Sequence, residues 1–166
     1  MNNLRRTFLK LAGGAGAVAA AVSLGLSVSG GAVAQGSAPG TPLPDEKVAD
    51  TLTRLFGNRP IQAAGDRIKL DAPMIAENGA VVPVRVDVEL PMTANDHVQN
   101  IYIISDKNRR PLNAQFSLTP DSGKASVATN IRLASTTDVR AIAETSKGAL
   151  YEVKREVKVT VGGCGG

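Results

Sequence analysis

The sequence has 166 residues, with 19 basic and 15 acidic residues, one cysteine, one histidine and no tryptophan. A lone cysteine closes no disulfide within its own chain, one His with one Cys builds no Cys/His metal cluster, and 3% aromatic content leaves little surface for stacking ligands. The net charge of +4 also loses its meaning once located: Arg5, Arg6 and Lys10 sit in an N-terminal targeting segment, the remainder carries 16 basic against 15 acidic residues, and nucleic acid is excluded as a partner.

Residues 1–34 read as a twin-arginine signal peptide. Leu4-Arg5-Arg6-Thr7-Phe8-Leu9-Lys10 sets paired arginines before an apolar residue and a lysine, departing from the usual pattern at Leu4, where Ser or Thr is common. An Ala/Gly/Val-rich stretch follows from Leu11 to Val28, and Ala32-Val33-Ala34 supplies a small-x-small cleavage site, so the mature chain is expected to begin at Gln35. Gly13, Gly14, Gly16 and Gly25 interrupt the apolar stretch and argue against a permanent membrane anchor. Export to the periplasm is the expectation. There, an odd cysteine implies either an intermolecular bond or a reactive thiol.

Residues 35–44 are mostly Gly, Ser, Pro and Thr with little that packs, and are expected to be a disordered leader. From Asp45 the apolar residues Val48, Leu52, Leu55 and Phe56 fall at i, i+4, i+7 and i+8, the stripe of a short amphipathic helix over 45–56. Pro44, Asp45 and Glu46 suit its start, and Gly57 with Pro60 suits its end.

Beyond Arg67 the period shifts to 2. Val82, Val84, Val86, Val88 and Leu90 alternate with Pro83, Arg85, Asp87 and Glu89, as on a strand with one face to a core and one to water. Leu112, Ala114, Phe116 and Leu118 repeat that pattern, as do Tyr151, Val153, Val157, Val159 and Val161, where only Arg155 breaks it. Its aliphatic stem is suited to cover apolar neighbours while its head reaches water. Val98 to Ser105 carries Ile101, Tyr102, Ile103 and Ile104 in succession, which predicts a central strand buried on both faces. Shorter strands are expected at Val127–Leu133, at Val139–Glu144 and near Arg67–Leu70, with turns at Asn78-Gly79, Asp106-Lys107-Asn108, Asp121-Ser122-Gly123 and Lys147-Gly148. With no helix between them, these elements predict an all-β, antiparallel β-sandwich over residues 45–161 with one N-terminal helix.

Candidate chemistry is sparse. His97 beside Asp96 lies in a polar stretch and reads as solvated or structural before it reads as a base or ligand. Arg109-Arg110-Pro111 has the charge to hold an anion, but a basic pair in a turn is ordinarily solvated. Met74 and Met92 each neighbour a proline and are expected to fill gaps at strand ends rather than bind a soft metal. The sequence contains no haem-attachment, dinucleotide or P-loop motif. What remains is Gly162-Gly163-Cys164-Gly165-Gly166. Glycine lacks a Cβ and opens backbone conformations closed to other residues, so these five residues read as a flexible arm that aims one thiol. No cation neighbours the thiol in sequence to draw it below the ordinary cysteine value of about 8.5, so on its own it is a slow nucleophile that depends on a partner for activation.

The Gly162–Gly166 motif, the twin-arginine signal and the segment Ala72-Pro73-Met74-Ile75-Ala76-Glu77-Asn78-Gly79-Ala80-Val81-Val82-Pro83-Val84 resemble the SoxY family, sulfur carrier subunits of periplasmic thiosulfate oxidation. The resemblance implies an immunoglobulin-like β-sandwich and a partner subunit of the SoxZ type, itself a small β-sandwich exported in complex with SoxY. It also implies that Cys164 is the covalent attachment point for thiosulfate-derived sulfur, with Gly162, Gly163, Gly165 and Gly166 as its arm. Further implied partners are a c-type cytochrome, a sulfate-releasing hydrolase and a sulfur dehydrogenase, while the carrier itself has no cofactor and is not an enzyme.

Two readings from other classes stand beside this one. Gly165-Gly166 also matches carriers that load sulfur on a terminal carboxylate, which need cytoplasmic ATP chemistry at odds with an export signal. An exported β-sandwich with a purely binding or structural role is the other.

Overall fold

The computed structural model describes residues 44–161. The expected signal peptide, the leader up to residue 43 and the arm at 162–166 lie outside the described residues. The apolar stripe forms helix α1, Val48–Phe56, three residues later than the acidic pair suggested. Asp45 and Glu46 are used before the helix begins. Asp45 forms an ion pair with Arg109 at 2.7 Å, the Glu46 N–H donates to the Arg109 carbonyl, and the Glu46 carboxylate accepts two bonds from Arg54. Gly57 closes the helix at φ +61, a region costly for a residue with a Cβ, with its N–H on the Thr53 carbonyl.

Ten strands follow: β1 Ile61–Ala63, β2 Ile68–Asp71, β3 Ile75–Asn78, β4 Val82–Val88, β5 Met92–Thr93, β6 Asp96–Ser105, β7 Leu112–Ser117, β8 Ala125–Ile131, β9 Thr137–Thr145 and β10 Leu150–Val161. They form two sheets. The larger runs β1-β10-β9-β6-β5, with β3 also on β10 and β7 also on β6; the smaller is β2-β4-β8. This is the expected immunoglobulin-like β-sandwich, and most of its pairings are antiparallel. To that expectation the structure adds two parallel pairings, both on one edge of β10: β1 along its start and β3 along its end. A parallel neighbour requires a long crossover, and here nearly the whole domain intervenes between the paired segments.

The core between the sheets follows from the alternation. Val82, Val84, Val86 and Val88 of β4 face Ile101 and Ile103 of β6, Val139, Ala141 and Ala143 of β9, and Val157 of β10, all buried. Each fully buried Val or Ile side chain among them contributes on the order of 1.5–3 kcal/mol. A second cluster explains the apolar run in β6. Tyr102 and Ile104 of that strand, with Ile142 of β9 and Leu150 of β10, point to the outer face of the large sheet, where Phe56 is buried among them and Val48, Leu52 and Leu55 of α1 pack alongside. The Phe56 and Tyr102 rings meet edge to face at 5.0 Å. The helix thus docks on the sheet, which makes β6 the central strand buried on both faces that its sequence predicts.

At the margin of this cluster Glu144 accepts hydrogen bonds from Arg59 Nη1 (2.6 Å), Tyr102 Oη (2.8 Å) and Asn100 Nδ2 (3.0 Å). Burial pushes its carboxyl up, but those donors outweigh it and hold the carboxyl below the ordinary value of 4.5. Burial, reinforced by the bond to the Glu144 carboxylate, pushes the Tyr102 phenol up to about 12.

Phe56→Ala empties the contact that seats α1 and should cost about 3 kcal/mol in urea unfolding, whereas Lys124→Ala in an exposed turn should change stability by less than about 0.5 kcal/mol. Because the folded-state value of Glu144 is depressed, its stabilisation is present above pH 4.5 and is lost as pH falls through the lower folded value. In Glu144→Gln the acid-side slope of stability against pH should therefore be shallower. It should not vanish, because Glu46 and Asp87 are held at about 2 by hydrogen bonds from Arg54 and Arg85 respectively.

Candidate functional site

The thiol motif begins at the residue after β10, so the site is built from the end of that strand. Along β9, β10 is paired from Leu150 to Val157. Its last residues leave that neighbour and gain β3 on the opposite edge, with Lys158 beside Ile75, Val159 beside Ala76 and Val161 beside Asn78. The Lys158 N–H donates to the Met74 carbonyl (3.0 Å), Thr160 Oγ1 donates to the Glu77 carbonyl (2.8 Å), and the Gly79 N–H donates to the Val161 carbonyl (2.7 Å). From the other side the Val159 N–H donates to Thr136 Oγ1 at 3.0 Å. Val161 is therefore held on the strand up to the peptide that joins it to Gly162.

The turn after β3 is itself fixed. Asn78 Oδ1 accepts from the Ala80 N–H at 2.8 Å, and the Gly79 carbonyl accepts from the Leu133 N–H at 2.7 Å, which ties the turn to the loop after β8. Two stretches that the sequence singles out separately, Ala72–Val84 and the segment leading into Gly162, thus meet in space. The first forms a socket for the root of the second.

The other candidate residues lie apart from this socket or serve the scaffold. His97 is half-buried on β6 opposite Met92, and its Nδ1 is buried without a hydrogen-bond partner. Asp96 pairs with Lys147 at 2.8 Å rather than with the imidazole, so the two do not form an acid–base dyad. Arg109 is engaged by Asp45, which makes it a clamp on the approach to α1. Met92 packs against the core as expected of a gap-filler. Met74 does not: it lies just before the edge strand β3 and is 72% exposed. Arg155 sends its guanidinium to the Leu70 carbonyl of β2, bridging the two sheets at their open side. Among the described residues no three of His, Cys, Asp and Glu cluster as a metal site, and no helix is long and apolar enough to cross a membrane. Cys164 and Gly162, Gly163, Gly165 and Gly166 lie outside the described residues.

The socket has no signature in the sequence. Thr136 and Leu133 sit in an aperiodic loop, and the partnership of residues 75–78 with 158–161 joins segments 83 residues apart with no local pattern to mark it.

Known proteins share both the sequence and the fold. The family model described as "Sulfur oxidation protein SoxY" matches residues 52–164. Among solved structures, the sulfur carrier protein SoxY from Chlorobium limicola f. thiosulfatophilum is 37% identical with a TM-score of 0.58, over 69% of this chain and 97% of that one. Superoxide reductase (neelaredoxin) from Ignicoccus hospitalis is 20% identical with a TM-score of 0.50, over 59% of this chain and 87% of that one, a likeness of fold alone. No curated protein matches the chain.

Thr160→Val keeps the shape and strand preference of the side chain but deletes its bond to Glu77. It should cost about 1 kcal/mol and speed amide hydrogen exchange at Gly79 and Lys158, while amides of the central strand, such as Ile103, keep their protection.

Proposed function

The chain belongs to the SoxY family of sulfur oxidation proteins, and on that premise we propose that it is a covalent sulfur carrier whose Cys164 holds thiosulfate-derived intermediates for partner enzymes. The observation that carries this reading is the rooting of the thiol motif: the strand leading into Gly162 is fixed by the Ala72–Val84 segment, so a glycine arm that begins there starts from a rigid point. The family match also extends through residue 164. Cys164 is the third residue after Val161, which at full extension amounts to about 10 Å of reach. A thiol so placed is able to enter a channel that excludes the domain.

Loading requires oxidation. Joining thiosulfate to the thiol forms one S–S bond, R–SH + S₂O₃²⁻ → R–S–S–SO₃⁻ + H⁺ + 2e⁻, and a c-type cytochrome is the acceptor of the electron pair. Hydrolysis of the terminal S–S bond then releases sulfate, R–S–S–SO₃⁻ + H₂O → R–S–SH + SO₄²⁻ + H⁺, and leaves the sulfane sulfur for a sulfur dehydrogenase. In this scheme the carrier supplies the handle and the partners supply activation and electron transfer, as expected of a thiol with no neighbouring cation in its sequence. The protein works in the periplasm after twin-arginine export, together with a SoxZ-type β-sandwich subunit.

Protein purified from thiosulfate-grown cells should show thiosulfonate and sulfane adducts on Cys164 by intact and peptide mass spectrometry. Cys164→Ser should abolish thiosulfate-dependent cytochrome reduction in a reconstituted system without changing the unfolding midpoint. Adducts on the terminal carboxylate instead of the thiol would assign the activity to Gly165-Gly166, and retained turnover in Cys164→Ser would sink the thiol reading altogether.

A further inference from the structure

A strand at the edge of a sheet presents a row of backbone N–H and C=O groups without partners, and natural proteins blunt such edges with charge, proline, a register break or a covering side chain. Most edges of this sandwich are blunted. β2 carries Lys69 and Asp71, and the Arg155 guanidinium donates to its Leu70 carbonyl. β3 carries Glu77, β1 and β5 have only three and two residues, and the ladder that holds β7 shifts register between Ile103 and Ile104. β8 has none of these devices. Ala125–Ile131 contains no charged residue, no proline and no glycine, and its register with β4 is unbroken from Val82 opposite Ile131 to Val88 opposite Ala125. Among the described residues it pairs with no other strand.

The backbone bonds fix which groups lie on the open side. The Glu89 N–H donates to the Arg67 carbonyl at 2.7 Å, one step beyond the pairing of Ile68 with Val88. In an antiparallel ladder alternate residues turn their N–H and C=O to opposite neighbours, so Glu89, Asp87 and Arg85 bond toward β2, and Val88, Val86, Val84 and Val82 bond toward β8. Their partners Ala125, Val127, Thr129 and Ile131 are satisfied by β4, which leaves Ser126, Ala128 and Asn130 with backbone groups turned outward. The Asn130 carbonyl takes a long bond of 3.5 Å from Thr129 Oγ1. Ser126 is half-buried, and Ala128 and Asn130 are exposed.

We propose that this edge pairs with the same edge of a second copy of the chain, antiparallel about a two-fold axis at Ala128. Self-complementarity picks that occupant. With the axis at Ala128, Ala128 meets its own copy and Ser126 meets the second copy's Asn130, so every outward residue faces an outward residue and about six backbone hydrogen bonds form. A slide of two residues either way leaves Ser126 or Asn130 without a counterpart inside the strand. Between those pairs the half-buried Val127 meets the second copy's Thr129, two β-branched side chains that suit a cross-strand contact. A two-fold also brings the charges of an edge close to their own copies, so a charged edge repels itself. β8 has no charge, and Arg85 and Asp87 on the adjacent β4 neutralise each other at 2.8 Å. One strand pair buries less than the roughly 800 Å² per partner of a stable interface, so the dimer is reversible. The inference does not depend on the role of Cys164.

The test uses the protein as purified, with any subunit that co-purifies, under reductant so that no Cys164 disulfide contributes. Sedimentation velocity over about 1–100 µM should show the number of copies per particle rising from one to two. Hydrogen exchange of the wild type should slow with concentration at the amides of Ser126, Ala128 and Asn130, and stay constant at Val127 and Thr129, which β4 already holds. Ala128→Lys and Ala128→Glu change an exposed side chain, so each should weaken self-association by at least about tenfold with an unaltered melting temperature, and mixing the two variants should restore the dimer. Particles with one copy at every concentration overturn the proposal, as does a dimer that forms only without reductant, one that neither variant weakens, or one that mixing fails to restore. Protection of the Ser126, Ala128 and Asn130 amides by a co-purifying subunit at every concentration also overturns it, and assigns the edge to that subunit.

Discussion

The pairing of β3 with the end of β10 is the constraint on which the functional geometry depends. Strand ends ordinarily fray, because their last carbonyls and amides have only water as a partner. Here the strand passes beyond its antiparallel neighbour and is caught by a parallel one, with backbone bonds at Lys158 and Val161 and a hydroxyl bond at Thr160. In the carrier role proposed for Cys164, the effective concentration of the thiol at a target depends on how well the origin of its segment is fixed. The β3 turn serves that purpose, and its own tie to Leu133 places the origin on both sheets of the sandwich.

The rest of the domain supplies the rigidity on which that origin relies. A three-stranded sheet covers only one face of the larger sheet, and the other face would expose Tyr102, Ile104, Ile142 and Leu150 without α1. The helix is short and carries no side-chain cap at its start, so packing rather than intrinsic propensity holds it. Charges left in the half-buried zones are paired: Glu144 with Arg59, and Arg140 with both Asp106 and Glu152. These networks mark the borders of the outer apolar cluster, where an unpaired charge would be costly.

In the carrier role proposed for Cys164, chemistry and scaffold are separate. The sandwich fixes a point and shields its own core, and the carrier role proposed for Cys164 asks the domain for no acid, base or metal. His97, Arg109 and Met92, the residues whose types first invite a catalytic reading, are absorbed into strand pairing, helix docking and core packing.

The sequence by itself determined the strands with alternating apolar residues, β4, β7 and β10, the two-faced apolar run of β6 and the stripe of α1, because each is a local period set by backbone geometry. It also singled out the thiol motif and the Ala72–Val84 segment, though as separate signals. Only the tertiary structure decided that these two belong together. The short strands β1, β3 and β5 have too few residues to show a period, and a parallel pairing between distant segments leaves no pattern in either one. The same holds for Met74, which is exposed just before β3, a strand whose place at a sheet edge the global topology assigns and local composition cannot.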